Sequence, residues 1–213
     1  MSLVVAAITC LLFAGAGAQP AAAAPPLSGK KILIVYLSRT NNTKAIADFI
    51  HQEVGGTIVA LELESPYPAD YRAIVQQVVR ENETGFLPPL KTKIDNIVQY
   101  DVVFVGFPTW AMQLPPPVKS FLRQYSLRGK TVIPFNTNDG YGTGSSFQTV
   151  KELCPHSTVL EGFTIRGGVD RNGRSPAIQG DRAAEAQNDV KSWLRKVDET
   201  LARTEAEEKG VPQ

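Results

Sequence analysis

The sequence predicts an α/β domain in which five parallel strands alternate with five helices. Three observations carry that prediction. First, two runs, residues 32–37 and 101–107, are apolar almost throughout, as strands buried on both faces of a parallel sheet are. Second, short apolar runs alternate along the chain with segments whose apolar residues recur at helical spacing, the pattern of a doubly wound sheet with right-handed crossovers. Third, the strands at 32–37, 101–107 and 130–135 are each followed by a polar or glycine-rich loop. In such sheets ligands sit at the carboxyl ends of the strands.

Taken in order, strand one breaks at Ser38-Arg39-Thr40-Asn41-Asn42-Thr43, and a helix follows with Ala45, Ile46, Phe49 and Ile50 on one side. Residues 57–63 read as strand two. Tyr67-Pro68-Ala69-Asp70-Tyr71 turns into a second helix whose apolar face is Ile74, Val75, Val78 and Val79. Residues 82–89, with Gly85 and Pro88-Pro89, read as loop, and 94–99 as a short helix. Strand three is 101–107. The helix at 115–125 has prolines in its first turn, where they are tolerated, and buries Val118, Phe121 and Leu122. Strand four is 130–135, the fourth helix 145–153, and strand five an uninterrupted 158–165. Residues 167–175 form a glycine- and charge-rich loop. The last helix, 181–201, turns Val190, Trp193, Leu194, Val197 and Leu201 inward, and the tail from Arg203 frays.

Composition narrows the function. Twenty-two Lys+Arg against 21 Asp+Glu in 213 residues, with no basic run, give no nucleic-acid signature. The two cysteines, Cys10 and Cys154, are too few for a thiolate metal site, and without the N-terminus no internal disulfide can form. Residues 1–24 resemble an export leader, apolar from Leu3 to Phe13 and then Ala/Gly-rich, with a small-residue cleavage site at Ala16-Gly17-Ala18. No Lys or Arg precedes Lys30, so the positive start of such a leader is missing. The expected organisation is a leader at 1–24, a linker at 25–29, a folded domain at 30–201 and a charged tail at 202–213. The expected location is the bacterial periplasm, or the cytoplasm if the leader is not a true signal. No stable membrane span is expected once the leader is removed.

The loop Ser38 to Thr43 places hydroxyls and amides where a strand ends and a helix begins. Free N–H groups and the positive end of the helix dipole meet there, which suits an anion and a phosphate most of all. The bland alternative is that Ser38, Thr40 and Asn42 only cap the helix. The second loop, Pro108-Thr109-Trp110-Ala111-Met112, adds a large flat side chain. The third, Asn138-Asp139-Gly140-Tyr141-Gly142, adds an aromatic among glycines that let backbone approach a flat ligand. His51, His156 and Cys154 read as surface or packing residues, and no general acid or base stands out.

Together, Ser38-x-Thr40-x-x-Thr43, Pro108-Thr109-Trp110 and the Gly/Tyr loop resemble a flavodoxin, over about residues 30–201. The resemblance implies the strand order 2-1-3-4-5 and an FMN cofactor. Its phosphate would lie in Ser38 to Thr43, and its ring between Trp110 and Tyr141. Residues Thr109 to Met112 and Asn138 to Gly142 would follow the ring's edges. In the family a second-loop glycine often allows a peptide flip toward flavin N5; here the candidates are Ala111 and Met112. The resemblance also implies electron transfer to a redox partner protein or a small-molecule acceptor. The family's electron carriers are strongly acidic around the flavin, whereas this chain is neutral and carries Arg39, Arg166, Arg171 and Arg174. A reductase passing hydride from NAD(P)H to a quinone is one alternative, and an exported binding domain that has lost FMN is another. A response regulator would need an Asp at the end of strand three, where the chain has Gly106-Phe107-Pro108. A low-molecular-weight tyrosine phosphatase would need a first-loop Cys, and a dinucleotide site would need Gly-x-Gly-x-x-Gly; the first loop has neither.

Overall fold

The computed structural model describes residues 26–167, 178–208 and 210. The expected leader at 1–24, most of the expected loop at 167–175, and Arg171 and Arg174 lie outside the described residues. Six strands form one parallel sheet: β1 Ile32–Tyr36, β2 Thr57–Ala60, β3 Val102–Pro108, β4 Thr131–Asn138, β5 Thr158–Val159 and β6 Phe163–Arg166. The order is β2-β1-β3-β4-β5, with β6 also pairing β4. This is the expected 2-1-3-4-5 arrangement.

Alternation along the central strands divides the core into two layers. Ile32, Ile34 and Tyr36 face α1 (Asn42–Val54) and α5 (Gly180–Glu208), where they meet Ile46, Ile50, Val190 and Trp193. Leu33, Val35 and Leu37 face the opposite layer, with Val118 and Phe121 of α3 (Pro116–Gln124) and Val150 of α4 (Ser146–Leu153). Burial of this kind is worth roughly 1.5–3 kcal/mol per large side chain.

The expected fifth strand is broken in two. From Val132 to Phe135, β4 advances three residues, while its partners advance four, from Val159 to Phe163. The extra residue is a bulge, and Pro134 explains it. Leu160 N–H donates to Val132 O, and Gly167 N–H to Asn138 O, so even-numbered β4 residues face the edge. Pro134 faces the same way and has no N–H to give. The edge chain detours there, and Gly162 comes so close that a Cβ would stand 2.8 Å from Pro134 O.

Five further expectations are corrected. The helix α2 (Tyr71–Thr84) runs into the stretch read as loop; its start is capped by Asp70, whose side chain accepts from Ala73 N–H at 2.8 Å. It buries Ile74, Val78 and Glu81 but leaves Val75 and Val79 exposed. The short helix at 94–99 is a single 3₁₀ turn, Ile97–Gln99. Leu27, placed in a linker by its Ala/Pro surroundings, is buried in the α1/α5 layer, with its N–H on Asp198 Oδ1 at 3.0 Å. The last helix continues to Glu208 rather than fraying at Arg203, and Lys30 pairs with Glu205 at 2.8 Å. None of the helices among the described residues is long and apolar enough to cross a membrane.

Cys154, closing α4, is buried, and burial pushes its thiol from 9.0 up to about 11. The unfolded thiol ionises first, so between pH 9 and 11 the unfolded state holds fewer protons and stability falls as pH rises. Denaturant midpoints across that window should therefore fall less steeply in Cys154→Ala than in the wild type. The native thiol should also resist thiol reagents near neutral pH.

Candidate functional site

The carboxyl ends of β1, β3 and β4 surround a cavity of about 350 Å³. Its first wall is the start of α1. Asn41 sits in the left-handed region at φ 63° and makes no side-chain cap; asparagine tolerates that conformation better than most residues. Of the helix's first donors, Lys44 N–H bonds Ser38 Oγ at 3.3 Å. The N–H groups of Asn41, Asn42 and Thr43 have no partner among the described residues. A left-handed residue leading into a helix turns successive N–H groups toward one point and makes an anion nest. The helix dipole adds to it, with no acidic residue in the first turn to oppose it.

The side chains of this loop do more than cap. Thr43 and Thr137 share a buried hydroxyl–hydroxyl bond of 2.8 Å, which ties α1 to β4. Asn42 Nδ2 donates to Thr40 Oγ1 at 3.1 Å, and Asn42 Oδ1 accepts from Ile178 N–H at 3.3 Å.

The second loop is a tight turn. Trp110 and Gln113 exchange both backbone hydrogen bonds, at 3.3 and 2.9 Å. Between them Ala111 and Met112 both have positive φ, 48° and 57°, the signature of a type I′ turn. For residues with a Cβ this costs about 1–2 kcal/mol each. The second loop is stapled to the third. Ser145 N–H bonds Met112 O at 3.0 Å, and Thr109 Oγ1 donates to Gly142 O at 2.9 Å. Met112 O is thus already engaged, which leaves the Ala111 carbonyl as the one of the two candidates without a partner among the described residues. Asn138 Oδ1 shapes the third loop by accepting from Gly140 N–H at 2.8 Å and Gly142 N–H at 3.2 Å.

Twelve of the sixteen expected site residues line this cavity: Arg39, Thr40, Asn42, Thr43, Pro108, Thr109, Trp110, Ala111, Met112, Asn138, Asp139 and Tyr141. Ser38, Asn41, Gly140 and Gly142 do not; they shape the loops from behind. Trp110 is half-buried and Tyr141 is 74% exposed. Two sets of wall residues were not anticipated. Thr137 and Gly167 complete the polar side, and Tyr71, Ile74, Val75 and Val78 give the cavity an apolar wall from α2. Helical periodicity marked the α2 valines as buried, but it could not show that a cavity lies against them. Arg39 and Asp139 are the charged residues among the described lining, so the rim carries no acidic cluster. No group of His, Cys, Asp and Glu suited to a metal occurs among the described residues.

A parallel doubly wound sheet with an anion nest at its first crossover and aromatic loops beside it defines a protein for a flat, phosphorylated ligand. The comparisons agree with that class. A flavodoxin family model matches residues 31–175, and the chain belongs to the flavodoxin family. A crystal structure from Bacteroides eggerthii DSM 20697, described as a flavoprotein, is 31% identical over 78% of this chain and 96% of its own, with a TM-score of 0.61. Another so described, from Bacteroides uniformis ATCC 8492, is 24% identical over 78% of this chain and 99% of its own, with a TM-score of 0.63. A flavoprotein from Lactobacillus acidophilus NCFM, solved in complex with FMN, is 23% identical over 64% of this chain and 93% of its own, with a TM-score of 0.58. No curated protein sequence matches the chain.

The staple between the second and third loops rests on Gly144. At φ 54°, a Cβ there would stand 2.0 Å from Met112 O. Gly144→Ala should lower stability by about 2–3 kcal/mol, from left-handed strain and a broken hydrogen bond. The measurement is the denaturant midpoint, and a variant as stable as the wild type would show that the loops are not held together there.

Proposed function

We propose that the chain binds FMN in this cavity and serves in electron transfer. The observation that carries the reading is the set of N–H groups at Asn41, Asn42 and Thr43, without partners among the described residues, at the start of a helix whose Asn42 and Thr43 line a cavity walled by Trp110. The nest would hold the phosphate, with Thr40 and Thr43 adding hydroxyl donors. Trp110 and Tyr141 would flank the ring, at ~0.5–1.5 kcal/mol per aromatic pair beyond burial. Pro108, Thr109, Ala111 and Met112 would border one edge, and Asn138, Asp139 and the Gly140–Gly142 backbone the other. Arg39, which also donates to Ala69 O at 3.0 Å, would place positive charge near the phosphate. Bound FMN supplies one- and two-electron redox chemistry; the protein orients the ring, screens it from water and sets the field around it. The family membership and the FMN complex of the Lactobacillus flavoprotein support the same ligand.

A second reading, a reductase that accepts hydride from NAD(P)H and passes two electrons to a quinone, draws support from the apolar α2 wall. NAD(P)H consumption with and without quinone separates the two readings. The partner is then a small-molecule acceptor in one case and a redox protein in the other. An export leader at 1–24 would place either activity in the periplasm.

Purified protein mixed with FMN and freed of excess should retain flavin absorption. Thr43 offers a sharper test. Thr43→Val leaves the Thr137 hydroxyl buried without its partner, at about 1–3 kcal/mol. The double variant Thr43→Val/Thr137→Val removes both partners and should recover most of that stability. FMN affinity should stay weakened in both, because the phosphate still lacks the Thr43 hydroxyl. Recovery of affinity together with stability would show that Thr43 acts only on packing, and a chain that takes up no FMN would sink the redox reading.

A further inference from the structure

Glu81 is a buried carboxylate that none of the three loops accounts for. It is 5% exposed and lies on the face of α2 that carries Ile74 and Val78, two wall residues of the cavity. Both of its oxygens accept hydrogen bonds. Tyr67 OH donates to Oε2 at 2.5 Å, and Gln77 Nε2 to Oε1 at 2.8 Å. Burying a carboxylate is costly unless its lone pairs are met, and here both oxygens are met by neutral donors. Burial first, and the bond to Glu81 second, hold the Tyr67 phenol far above the ordinary tyrosine range, so it remains a proton donor.

The other end of this chain of contacts is Trp110. The Tyr67 ring meets the indole edge-on, with centroids 5.5 Å apart and planes at 82°. From the backbone side Trp110 is held by the turn it shares with Gln113. A phenylalanine at 67 would also pack against Trp110, but a phenol bonded to a buried acceptor fixes the direction of the ring axis. The aromatic contact then transmits that direction to the indole.

We propose that Tyr67 and Glu81 are positioning residues for ligand stacking: Glu81 orients Tyr67, and Tyr67 sets the plane of Trp110 against the flat ligand. The proposal rests on the FMN reading for the identity of that ligand. It also assigns Glu81 a second effect. The same carboxylate lies on α2, so it fixes the spacing between the α2 wall and the indole, and with it the width of the slot.

The test has two readouts in the full chain. The first is the near-ultraviolet circular dichroism of Trp110 without ligand, isolated by subtracting the spectrum of Trp110→Phe, which keeps Trp193. The second is the dissociation constant for FMN. In Tyr67→Leu and Glu81→Leu the Trp110 band should collapse and the dissociation constant should rise about three- to tenfold, the loss of one oriented aromatic pair. Glu81→Gln, whose amide oxygen still accepts from Tyr67, should restore both. Gln77→Ala, which touches Glu81 but not Tyr67, should leave both at the wild-type value while lowering the melting temperature. Unchanged band and affinity in the two leucine variants, with only stability lost, would overturn the proposal and leave the contact as packing alone. Should the leucine variants fail to fold, Tyr67→Phe decides by the same readouts. A wild-type chain that takes up no FMN overturns the ligand reading and this proposal with it. That failure is distinct from an FMN-binding chain whose variants behave like wild type.

Discussion

The site depends on one fully buried amide, Asn136, near the carboxyl end of β4. Its Nδ2 donates to Phe107 O and to Thr109 Oγ1, both at 3.0 Å, and its Oδ1 receives Thr164 Oγ1 at 3.2 Å and Asn138 Nδ2 at 3.3 Å. One side chain therefore joins the end of β3, the second loop, the start of the third loop and β6. Buried polar groups of this kind rigidify a structure when every member is satisfied and are expensive when one is not. Here each donor and acceptor of the amide has a partner, so the loops inherit the rigidity of the sheet.

Against that fixed frame the loops use two different devices. The first is anchored through Thr43 and Thr137 but leaves backbone N–H groups unspent, so it can accept an anion without rearrangement. The second loop stores strain in Ala111 and Met112 and is clamped by Gln113 and Ser145. Strain of this sort persists only where the surroundings over-determine it. The surroundings are visible: a backbone staple from the third loop on one side and Tyr67 against Trp110 on the other.

Much of this was legible in the sequence. The strands at 32–37 and 101–107 announced themselves because both faces of a central parallel strand are apolar. The three loops were legible because polar and glycine residues follow those strands. What escaped was information held between segments. Pro134 splits the edge strand because of which neighbour its missing N–H faces, and that is a matter of register. Leu27 packs under α5 although its local composition reads as linker. The type I′ turn lacks the Asn-Gly signature that marks such turns. The apolar residues of α2 span too wide an arc to say which half is covered, and Val75 is left exposed on the cavity wall. Twelve of the sixteen expected residues line the cavity, and the other four lie in the same loops without lining it.

The entry of the chain into the fold bears on how the molecule can be used. Leu27 is pinned beside Asp198, and Lys30 to Glu205, at the amino edge of the sheet and the far end of α5. The cavity opens at the carboxyl edge. Whatever is joined ahead of residue 26, whether a tether, a surface or a fused domain, therefore takes hold of the molecule by its base. The mouth lies at the opposite edge of the sheet from that attachment point.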